Sequence, residues 1–341
     1  MRKILFSVVS IIVMLVSITG CAAPATPAAQ PAAPAQPAVV ATDQPAASES
    51  TVAPTEEKTY KFAIVYSIAV EFFDTVTRGA QDEIASSGKN VELIVKAPDK
   101  GDINQQIEIM ENLINMHVDG IAIGPSDSDA LTPYIDKAIE AGIPVITFDT
   151  DAPNSKRLGY IGTNNYEAGK LLGQAVADLN PDAKVICTIS VPTQLGLQQR
   201  VKGAQDLWAE KYPNIKLLDM RSSGGDPAVT LSNIEDMVKA YPDFDILIGI
   251  DAQGGPAAVS AWKALGLDNK KAVVFDDLPA VVQGIRDGQI TTAISQFEYK
   301  WGAEIINKLW DVNHGGKVPE LTEITAVALT KENVDQYFPK E

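Results

Sequence analysis

Short apolar runs alternate with stretches of helical periodicity along most of this chain, from about residue 60 onward. The runs are continuous rather than alternating in polarity, which is typical of strands buried on both faces of a sheet. They occupy residues 62–66, 91–95, 121–123, 145–148, 185–189, 246–250, 273–275 and 290–294. This pattern restricts the chain to an architecture of alternating strands and helices.

The stretches between these runs carry apolar residues at helical spacing. Ile107, Met110 and Ile114 share one face of a predicted helix, as do Leu131 and Ile135 in the next. Repeated strand–helix units predict parallel sheets with helices on both faces. We therefore expect an α/β fold with doubly wound, Rossmann-like parallel sheets.

Two segments of the chain are similar to each other. Residues 145–150, VITFDT, correspond to residues 272–277, AVVFDD, and both place an aspartate directly after an apolar run. One interpretation is that the chain contains two similar α/β lobes. The alternative is chance similarity among parallel strands.

The first twenty residues have the pattern of an export signal. Arg2 and Lys3 precede an apolar run at residues 4–18, and small residues follow before Cys21. This arrangement resembles a bacterial lipobox, where the signal is cleaved before the cysteine and the cysteine is acylated. The resemblance implies a lipoprotein signal peptide at residues 1–20 and membrane lipid as a partner through acylated Cys21. The alternative is an uncleaved anchor helix.

Residues 21–57 are rich in alanine and proline and contain almost no large apolar side chain. Such a segment does not build a core, and it predicts a semi-extended tether. The remaining residues, 58–341, exceed one average domain and are consistent with two lobes. We expect an exported protein that is anchored by lipid to the outer face of the cell membrane or lies in the periplasm.

The charge and the cysteine content exclude several classes of protein. A formal charge of −16 argues against a nucleic-acid binder, which needs clustered positive charge, so we expect no nucleic-acid partner. Two cysteines are too few for a disulfide scaffold. Only the apolar run at residues 4–18 approaches the length of a membrane span, which excludes a polytopic membrane protein.

Polar and aromatic side chains are concentrated just after the predicted strands. In open parallel sheets, ligands bind beyond the carboxyl ends of the strands. Carboxylates accept hydrogen bonds from hydroxyl groups, arginine and amide groups donate them, and aromatic rings cover C–H faces. The sequence therefore predicts a site for a hydroxyl-rich ligand at Ser67, Phe72, Phe73, Asp149, Thr150, Arg200, Asp251, Asp276 and Gln296.

Several of these residues also have a purely structural interpretation. Asp149 and Asp276 are candidates for capping the segments that follow them. One of Phe72 and Phe73 is expected to belong to the core. Arg200 has an alternative as a solvated residue on a helix.

Motifs for common catalytic chemistries are absent from the sequence. It contains no nucleophile elbow, no dinucleotide-binding glycine motif and no phosphate-binding loop. His117, His314 and Cys187 do not form a metal-ligand pattern, so we expect no metal and no cofactor. Paired carboxylates such as Asp149 and Asp276 leave a glycoside hydrolase as an alternative, although we expect no enzyme.

Five segments of the chain resemble one family: residues 67–73, 119–127, 141–149, 160–165 and 200–203. The chain resembles periplasmic sugar-binding proteins of the ribose/galactose-binding type, the substrate-binding lipoproteins of sugar ABC importers. The resemblance covers residues 60–331. It implies the periplasmic binding protein type I fold, in which two Rossmann-like lobes are joined by a three-segment hinge and close around a sugar.

The resemblance also implies where the lobes lie and which residues act. The N-terminal lobe is expected to contain residues 58–162 and 297–325, and the C-terminal lobe residues 163–296 and 326–341. The hinge is expected at Gly162, Thr163, Phe297 and Thr325. Phe72 and Phe73 correspond to the family's stacking aromatics, and Asp149 and Asp276 correspond to its hydroxyl-binding aspartates. Arg200 corresponds to the arginine of the cleft. Asp251 corresponds to an amide or acid position, and Gln296 to the glutamine on the hinge side.

The expected function is the capture of a neutral monosaccharide by hinge closure and its delivery to an ABC permease, by a monomer. Thr150 and Gly225 stand where ribose binders have an arginine and an aromatic residue, and these differences favour a pyranose over ribose. Residues 149–151 and 251–258 also resemble the receptor for the quorum signal autoinducer-2, so this signal or another small polyol is an alternative ligand. Signalling through a chemoreceptor or kinase can coexist with transport.

Overall fold

The computed structural model describes residues 58–99 and 101–339, whose strands form two separate six-stranded sheets. The predicted signal peptide, tether and acylated Cys21 lie outside the described residues. Within these two ranges, no helix has both the length and the apolar composition to cross a membrane.

The first sheet contains five strands from the N-terminal half and one late strand. These are β1 (Tyr60–Val65), β2 (Val91–Lys96), β3 (Gly120–Ile123), β4 (Val145–Phe148), β5 (Tyr160–Gly162) and β11 (Leu321–Glu323). Their order is β11-β5-β4-β3-β1-β2, and all pairs are parallel. Together with α1 (Glu71–Ser87), α2 (Ile103–Asn115), α3 (Ser128–Glu140) and α9 (Tyr299–Asn313), this sheet forms the first lobe.

The second sheet contains the next five strands and the last one. These are β6 (Lys184–Ile189), β7 (Lys216–Ser222), β8 (Ile246–Gly249), β9 (Lys271–Phe275), β10 (Thr292–Ser295) and β12 (Val327–Leu329). Their order is β12-β10-β9-β8-β6-β7, and only β12 is antiparallel to its neighbour. With α4 (Asn165–Leu179), α5 (Leu195–Lys211), α6 (Pro227–Ala240), α7 (Gly254–Leu265), α8 (Pro279–Asp287) and α10 (Val334–Tyr337), it forms the second lobe.

The first five strands of the two sheets have the same order and direction. The order of β1–β5 in the first sheet is repeated by β6–β10 in the second. The similar segments at residues 145–150 and 272–277 fall on β4 and β9, which occupy equivalent places. The predicted fold class is confirmed, and the two similar segments occupy equivalent strands of the two lobes.

Some strands differ from the sequence prediction. β2 was predicted from a continuous apolar run as a strand buried on both faces, but it lies at a sheet edge and is half-exposed. β7, also at an edge, carries the mixed sequence KLLDMRS, and its residues are half-exposed or exposed. The apolar run at residues 290–294 begins two residues before the strand that it predicts, since β10 spans Thr292–Ser295. Neither edge strand is fully buried, although consecutive residues of each, Leu217 and Leu218 in β7 and Leu93 and Ile94 in β2, pack against the core.

Local sequence signals define several helix ends. Asp102, Asp127, Asn164 and Asp226 each precede a helix and accept a hydrogen bond from a backbone N–H of its first turn. Gly88 follows α1 with a φ of +70°, the left-handed conformation that commonly ends helices. These caps fix where the loops at the strand ends begin and end.

The chain passes between the lobes three times: after β5, after β10 and after β11. The helix that follows each of the first two passages packs on the lobe it enters, so α4 contacts α5 and α9 contacts α1. A Cβ atom at Gly79 would lie 2.0 Å from the carbonyl oxygen of Tyr299, and one at Gly169 would lie 2.1 Å from that of Arg200. Both helix pairs are therefore in backbone contact at glycine.

Candidate functional site

A cavity of about 50 Å³ lies between the lobes, and we name it the inner chamber. It is placed at the carboxyl ends of strands from both sheets, because Asp149 follows β4 and Asp276 follows β9. Of the nine predicted ligand-binding residues, eight line this chamber: Ser67, Phe72, Phe73, Asp149, Arg200, Asp251, Asp276 and Gln296. The structure thus brings residues from distant parts of the sequence into one site.

Asp149 and Asp276 have an unusual backbone conformation. Their φ angles are +61° and +69°, in the left-handed region that aspartate enters more readily than most other residues. Neither residue is the N-cap of a helix in the described part of the chain, so the interpretation of both as capping residues is wrong. Their left-handed turn instead ends a strand beside the inner chamber.

Each of these two carboxylates accepts a hydrogen bond from a glutamine. Gln194 Nε2 donates to Asp149 Oδ2 over 3.2 Å, and Gln296 Nε2 donates to Asp276 Oδ1 over 2.6 Å. Burial raises the pKa of Asp149 to about 6 and the pKa of Asp276 to about 7, while Arg200 and the two glutamines oppose the shift. Two acidic groups that titrate near neutral pH therefore face this chamber.

Arg200 is buried, with 2% of its surface exposed, so its interpretation as a solvated helix residue is wrong. Its Nε donates to Asn165 Oδ1 over 2.8 Å, and its terminal nitrogens donate to the carbonyl oxygen of Ile250 and to Gln296 Oε1. The guanidinium carbon lies 4.1 Å from the centroid of the Phe275 ring. These contacts fix a positive charge beside the two aspartates, where it lowers the cost of their burial.

Asp251 lines the chamber but is already engaged by the backbone. Its two carboxylate oxygens accept hydrogen bonds from the N–H groups of Ser190 and Gln253, over 2.5 and 2.9 Å. Burial raises the pKa of Asp251, and these bonds oppose the shift. Asp251 therefore holds together the loops that follow β6 and β8.

Thr150 is the predicted residue that the structure does not place on the chamber wall. It is buried, and its N–H donates to the carbonyl oxygen of Phe148 over 2.6 Å. Its hydroxyl oxygen lies only 2.9 Å from where a Cβ atom at Gly196 would be. The Thr150 side chain thus packs against the beginning of α5. The left-handed turn at Asp149 points the side chains of Asp149 and Thr150 in different directions, so only Asp149 reaches the chamber.

Phe72 and Phe73 are both buried in the first lobe as well as lining the chamber. The Phe73 ring stacks on Tyr66, with ring centroids 4.4 Å apart. The Phe72 ring contacts Trp301 edge to face, with centroids 5.7 Å apart. Core packing therefore fixes both rings at the wall of the site.

Other residues on the chamber wall were not singled out from the sequence. They include Ile68, Ser190, Leu197 and Gln253. Ser190 directly follows β6, so the rule that identified the other strand-end residues applies to it equally. Ile68 and Leu197 are apolar, and a search for polar groups does not detect them.

The predicted hinge residues lie where the chain passes between the lobes. Gly162 ends β5 and Thr163 follows it, Phe297 lies between β10 and α9, and Thr325 lies between β11 and β12. The Thr163 hydroxyl donates to the carbonyl oxygen of Ile324 over 3.2 Å and so joins the first and third passages. Phe297 has a φ of +50°, which is strained for a bulky side chain.

A second pair of buried acids, Asp277 and Glu298, lies beside the passage after β10. The Ser295 hydroxyl donates to Asp277. Burial raises the pKa of Asp277, and it raises the pKa of Glu298 well above the usual value, with the charges of Asp277 and Asp276 adding to that effect. This pair does not line the inner chamber, but the charge of Asp277 also raises the pKa of Asp276, so the pair is electrostatically linked to the chamber.

In the ranges that the structure describes, no three or more His, Cys, Asp or Glu side chains are placed to hold a metal ion together. Cys187 is buried within β6, and burial raises the pKa of its thiol well above the usual value. This thiol is accordingly protonated at neutral pH.

Residues 62–317 match the model of a family described as the periplasmic binding protein domain. A D-ribose/D-allose-binding protein from Pseudomonas aeruginosa is 30% identical over 257 residues, which cover 73% of this chain and 80% of that protein. A ribose import binding protein from Bacillus subtilis is 26% identical over 250 residues, which cover 72% of this chain and 79% of that protein.

The fold is also similar to that of solved structures. An ABC transporter solute-binding protein from Burkholderia graminis, in complex with D-arabinose, superposes with a TM-score of 0.77 and 28% identity over 83% of this chain and 99% of that chain. All three relatives are named as binding proteins and none as an enzyme, which confirms the expectation that the chain is not an enzyme. The resemblance found in the sequence is confirmed, and the chain belongs to the periplasmic binding protein domain family.

Proposed function

We propose that this chain is an extracytoplasmic solute-binding lipoprotein that captures a neutral monosaccharide and delivers it, as a monomer, to an ABC permease. The observation that carries the proposal is the placement of Asp149 and Asp276 at equivalent strand ends of the two lobes, facing one chamber beside Arg200. A ligand that contacts both aspartates stabilises the closed arrangement of the lobes.

The chemistry of the inner chamber suits a sugar without charge. Asp149 and Asp276 accept hydrogen bonds from hydroxyl groups, and Arg200 and Gln296 donate to sugar oxygens. Phe72 is the stacking candidate, because Tyr66 already covers one face of Phe73. Relatives named for ribose and allose, and one bound to arabinose, support a neutral pentose or hexose, and Gly225 favours a pyranose over ribose.

Direct contacts between the lobes support the proposed closure. Gln194 of the second lobe donates to Asp149 of the first, and a ligand hydroxyl would take the place of this contact. The lobes would move about Gly162, Thr163, Phe297 and Thr325. In this proposal the N-terminal lobe holds residues 58–162 and 297–325, and the C-terminal lobe residues 163–296 and 326–341.

The anchor belongs to the same proposal. Acyl chains on Cys21 would hold the protein at the outer face of the cell membrane, and the alanine- and proline-rich residues 22–57 would give it reach. Cys21→Ser should release the protein from membranes in cell fractionation and remove the mass of the acyl chains. Wild-type protein that carries no lipid would contradict the anchor without affecting the sugar site.

Calorimetric titration of the purified protein with a panel of hexoses and pentoses tests the ligand. We expect one or a few of these sugars to bind, and Asp276→Asn to weaken their binding by about 10- to 100-fold while the circular dichroism spectrum is retained. Binding of no sugar by folded protein would overturn the proposal. Autoinducer-2 is included in the panel, and tight binding of this signal alone would replace the sugar as the ligand.

A further inference from the structure

A second and larger cavity, of about 470 Å³, adjoins the inner chamber, and we name it the outer chamber. Ile68, Val70, Phe72, Gly225, Ala252 and Gln253 line both cavities, so the two spaces are direct neighbours. Small-molecule sites typically have volumes of roughly 300–1,000 Å³. The outer chamber falls in this range and the inner chamber, at about 50 Å³, does not.

The outer chamber exists because its wall in the second lobe lacks side chains at two successive positions. Gly224 and Gly225 have φ angles of +62° and +84°, which other residues rarely adopt. A Cβ atom at Gly225 would lie 2.4 Å from Ile68 Cδ1 of the first lobe. The Ile68 side chain thus packs on the backbone of Gly225, and residue 225 contributes no side chain at the boundary between the two chambers.

The lining of the outer chamber selects against negative charge. It includes the carboxylates of Glu71, Asp99 and Asp226, and no lysine or arginine occurs among its described lining residues. Asp226 caps α6 through the N–H groups of Ala228 and Val229, whereas Glu71 and Asp99 lie in exposed positions where they can accept hydrogen bonds from hydroxyl groups. Phosphorylated or uronic sugars would be repelled at this wall.

Apolar side chains supply the rest of the outer wall. Leu278 and Pro227 lie on the side of the second lobe, and Val70 and Phe72 on the side of the first. An apolar surface combined with a few acceptors is what the C–H face and the hydroxyl edge of a sugar ring require. The outer chamber therefore has the size and the chemistry for a ring of its own.

We propose that the protein also binds a neutral disaccharide, with the hydroxyl edge of one ring held by the aspartates and Arg200 at the inner chamber and the second ring in the outer chamber. This inference rests on the proposed sugar-binding function and deepens it. The inner ring supplies recognition through charged groups, and the outer ring supplies additional contact with Phe72, Leu278 and the acceptors at Glu71 and Asp99.

The test compares matched ligands by calorimetric titration of the full chain. The monosaccharide that binds best is compared with neutral disaccharides that contain it, with its methyl glycosides and with its 6-phosphate. Ala69→Trp and Asp99→Trp place a bulky ring in the outer chamber, while Ala69→Ser and Asp99→Asn, which keeps an acceptor oxygen, are matched controls. Both positions are exposed and lie outside the inner chamber, so the variants should fold and keep the inner site.

We expect a disaccharide to bind at least tenfold more tightly than the free monosaccharide and the 6-phosphate to bind more weakly. The tryptophan variants should remove this gain and leave the dissociation constant of the monosaccharide within twofold. The inference is overturned, and monosaccharide binding stands, if every extended ligand binds no better than the monosaccharide. It is also overturned if the gain survives both tryptophan variants, or if these variants weaken the monosaccharide equally. Binding of no sugar at all overturns the proposed function and this inference together.

Discussion

Asp149 and Asp276 make the same backbone contact in the two lobes. The N–H of Asp149 donates to the carbonyl oxygen of Ile161 over 3.2 Å, and the N–H of Asp276 donates to that of Ile294 over 2.9 Å. In each case a residue just beyond one strand is bonded to the neighbouring strand, and the left-handed turn follows. The same backbone geometry therefore places one carboxylate on each side of the inner chamber.

Replacing either aspartate by asparagine should weaken sugar binding. The hydrogen bond to a charged acceptor is lost, which corresponds to a decrease in affinity on the order of 10- to 100-fold. Calorimetric titration of Asp149→Asn and Asp276→Asn measures this decrease. Asp127→Asn is the matched control, because Asp127 caps α3 away from the chamber and asparagine caps equally well. Unchanged affinity in both chamber variants would exclude these carboxylates from the site.

The free energy of unfolding should depend on pH through Asp276. Its pKa is about 7 in the folded protein against an ordinary value of 3.8, so between these values the folded state holds a proton that the unfolded chain releases. The contribution of this carboxyl to stability is therefore complete below the lower value and is lost as the pH rises through the higher one.

Relative to wild type, Asp276→Asn should consequently gain stability as the pH increases from 4 to 8. The gain is on the order of a few kcal/mol, and urea denaturation at several pH values measures it. The difference between the two proteins isolates Asp276 from Asp277, Glu298 and other acids. Parallel stability curves for wild type and variant would show that Asp276 is ionised throughout this range.

Sugar affinity should decrease in acid. Asp149 and Asp276, with pKa values of about 6 and 7, accept hydroxyl protons well only when they are ionised. We expect the dissociation constant to rise by roughly a factor of ten for each pH unit below the higher pKa, as long as one proton must be released on binding. Titrations between pH 5 and pH 8 measure this dependence, and an affinity independent of pH contradicts it.

Arg200 should be essential for stability at neutral pH. Arg200→Met leaves Asp149, Asp251 and Asp276 buried without a positive charge nearby, which should cost about 3–5 kcal/mol. The loss should be smaller at pH 5, where Asp149 and Asp276 hold protons. Arg221→Met, at a partly exposed ion pair with Asp219, is the control and should change stability by less than about 1 kcal/mol. Equal losses in the two variants would contradict the role of Arg200.

Gly169→Ala should destabilise the protein and disturb the site together. The added methyl group would lie 2.1 Å from the carbonyl oxygen of Arg200, so α4 and α5 must separate, at a cost of about 3 kcal/mol or more. Gly88→Ala tests conformational cost alone, because nothing lies within 4 Å of its Cβ position and its φ is +70°; we expect a loss of about 1 kcal/mol. Denaturation and sugar titration of both variants compare the effects, and similar losses would refute the steric argument.

The sequence was sufficient to predict the sheets and most of the site because both depend on local patterns. Asp149 and Asp276 were identifiable since each directly follows a buried apolar run, and parallel strands bring such positions to one edge. Ser190 carries the same signal. β7 was not predicted because charged residues interrupt its sequence KLLDMRS, and β5 and β12 are too short to show a periodic pattern.

Other features depend on distant parts of the chain and have no local signal. The position of Thr150 follows from the turn at Asp149 and from its contact with α5 at Gly196. The outer chamber depends on how closely Ile68 and Gly225, which come from different lobes, approach each other. The backbone bonds to Asp251 depend on two loops that meet only after β6 and β8 have paired.

The packing of α9 on α1 makes each half of the polypeptide dependent on the other. The Tyr299 hydroxyl donates to Asp82 over 2.7 Å although the two residues are 217 positions apart. A fragment that ends at Gly162 would therefore present an uncovered surface along α1. During synthesis this surface stays uncovered until α9 has been made, near the end of the chain. Folding of the N-terminal lobe therefore depends on a helix that is synthesised late, which favours slow folding. Premature termination before α9 would be more harmful than the loss of a few residues at the C-terminus.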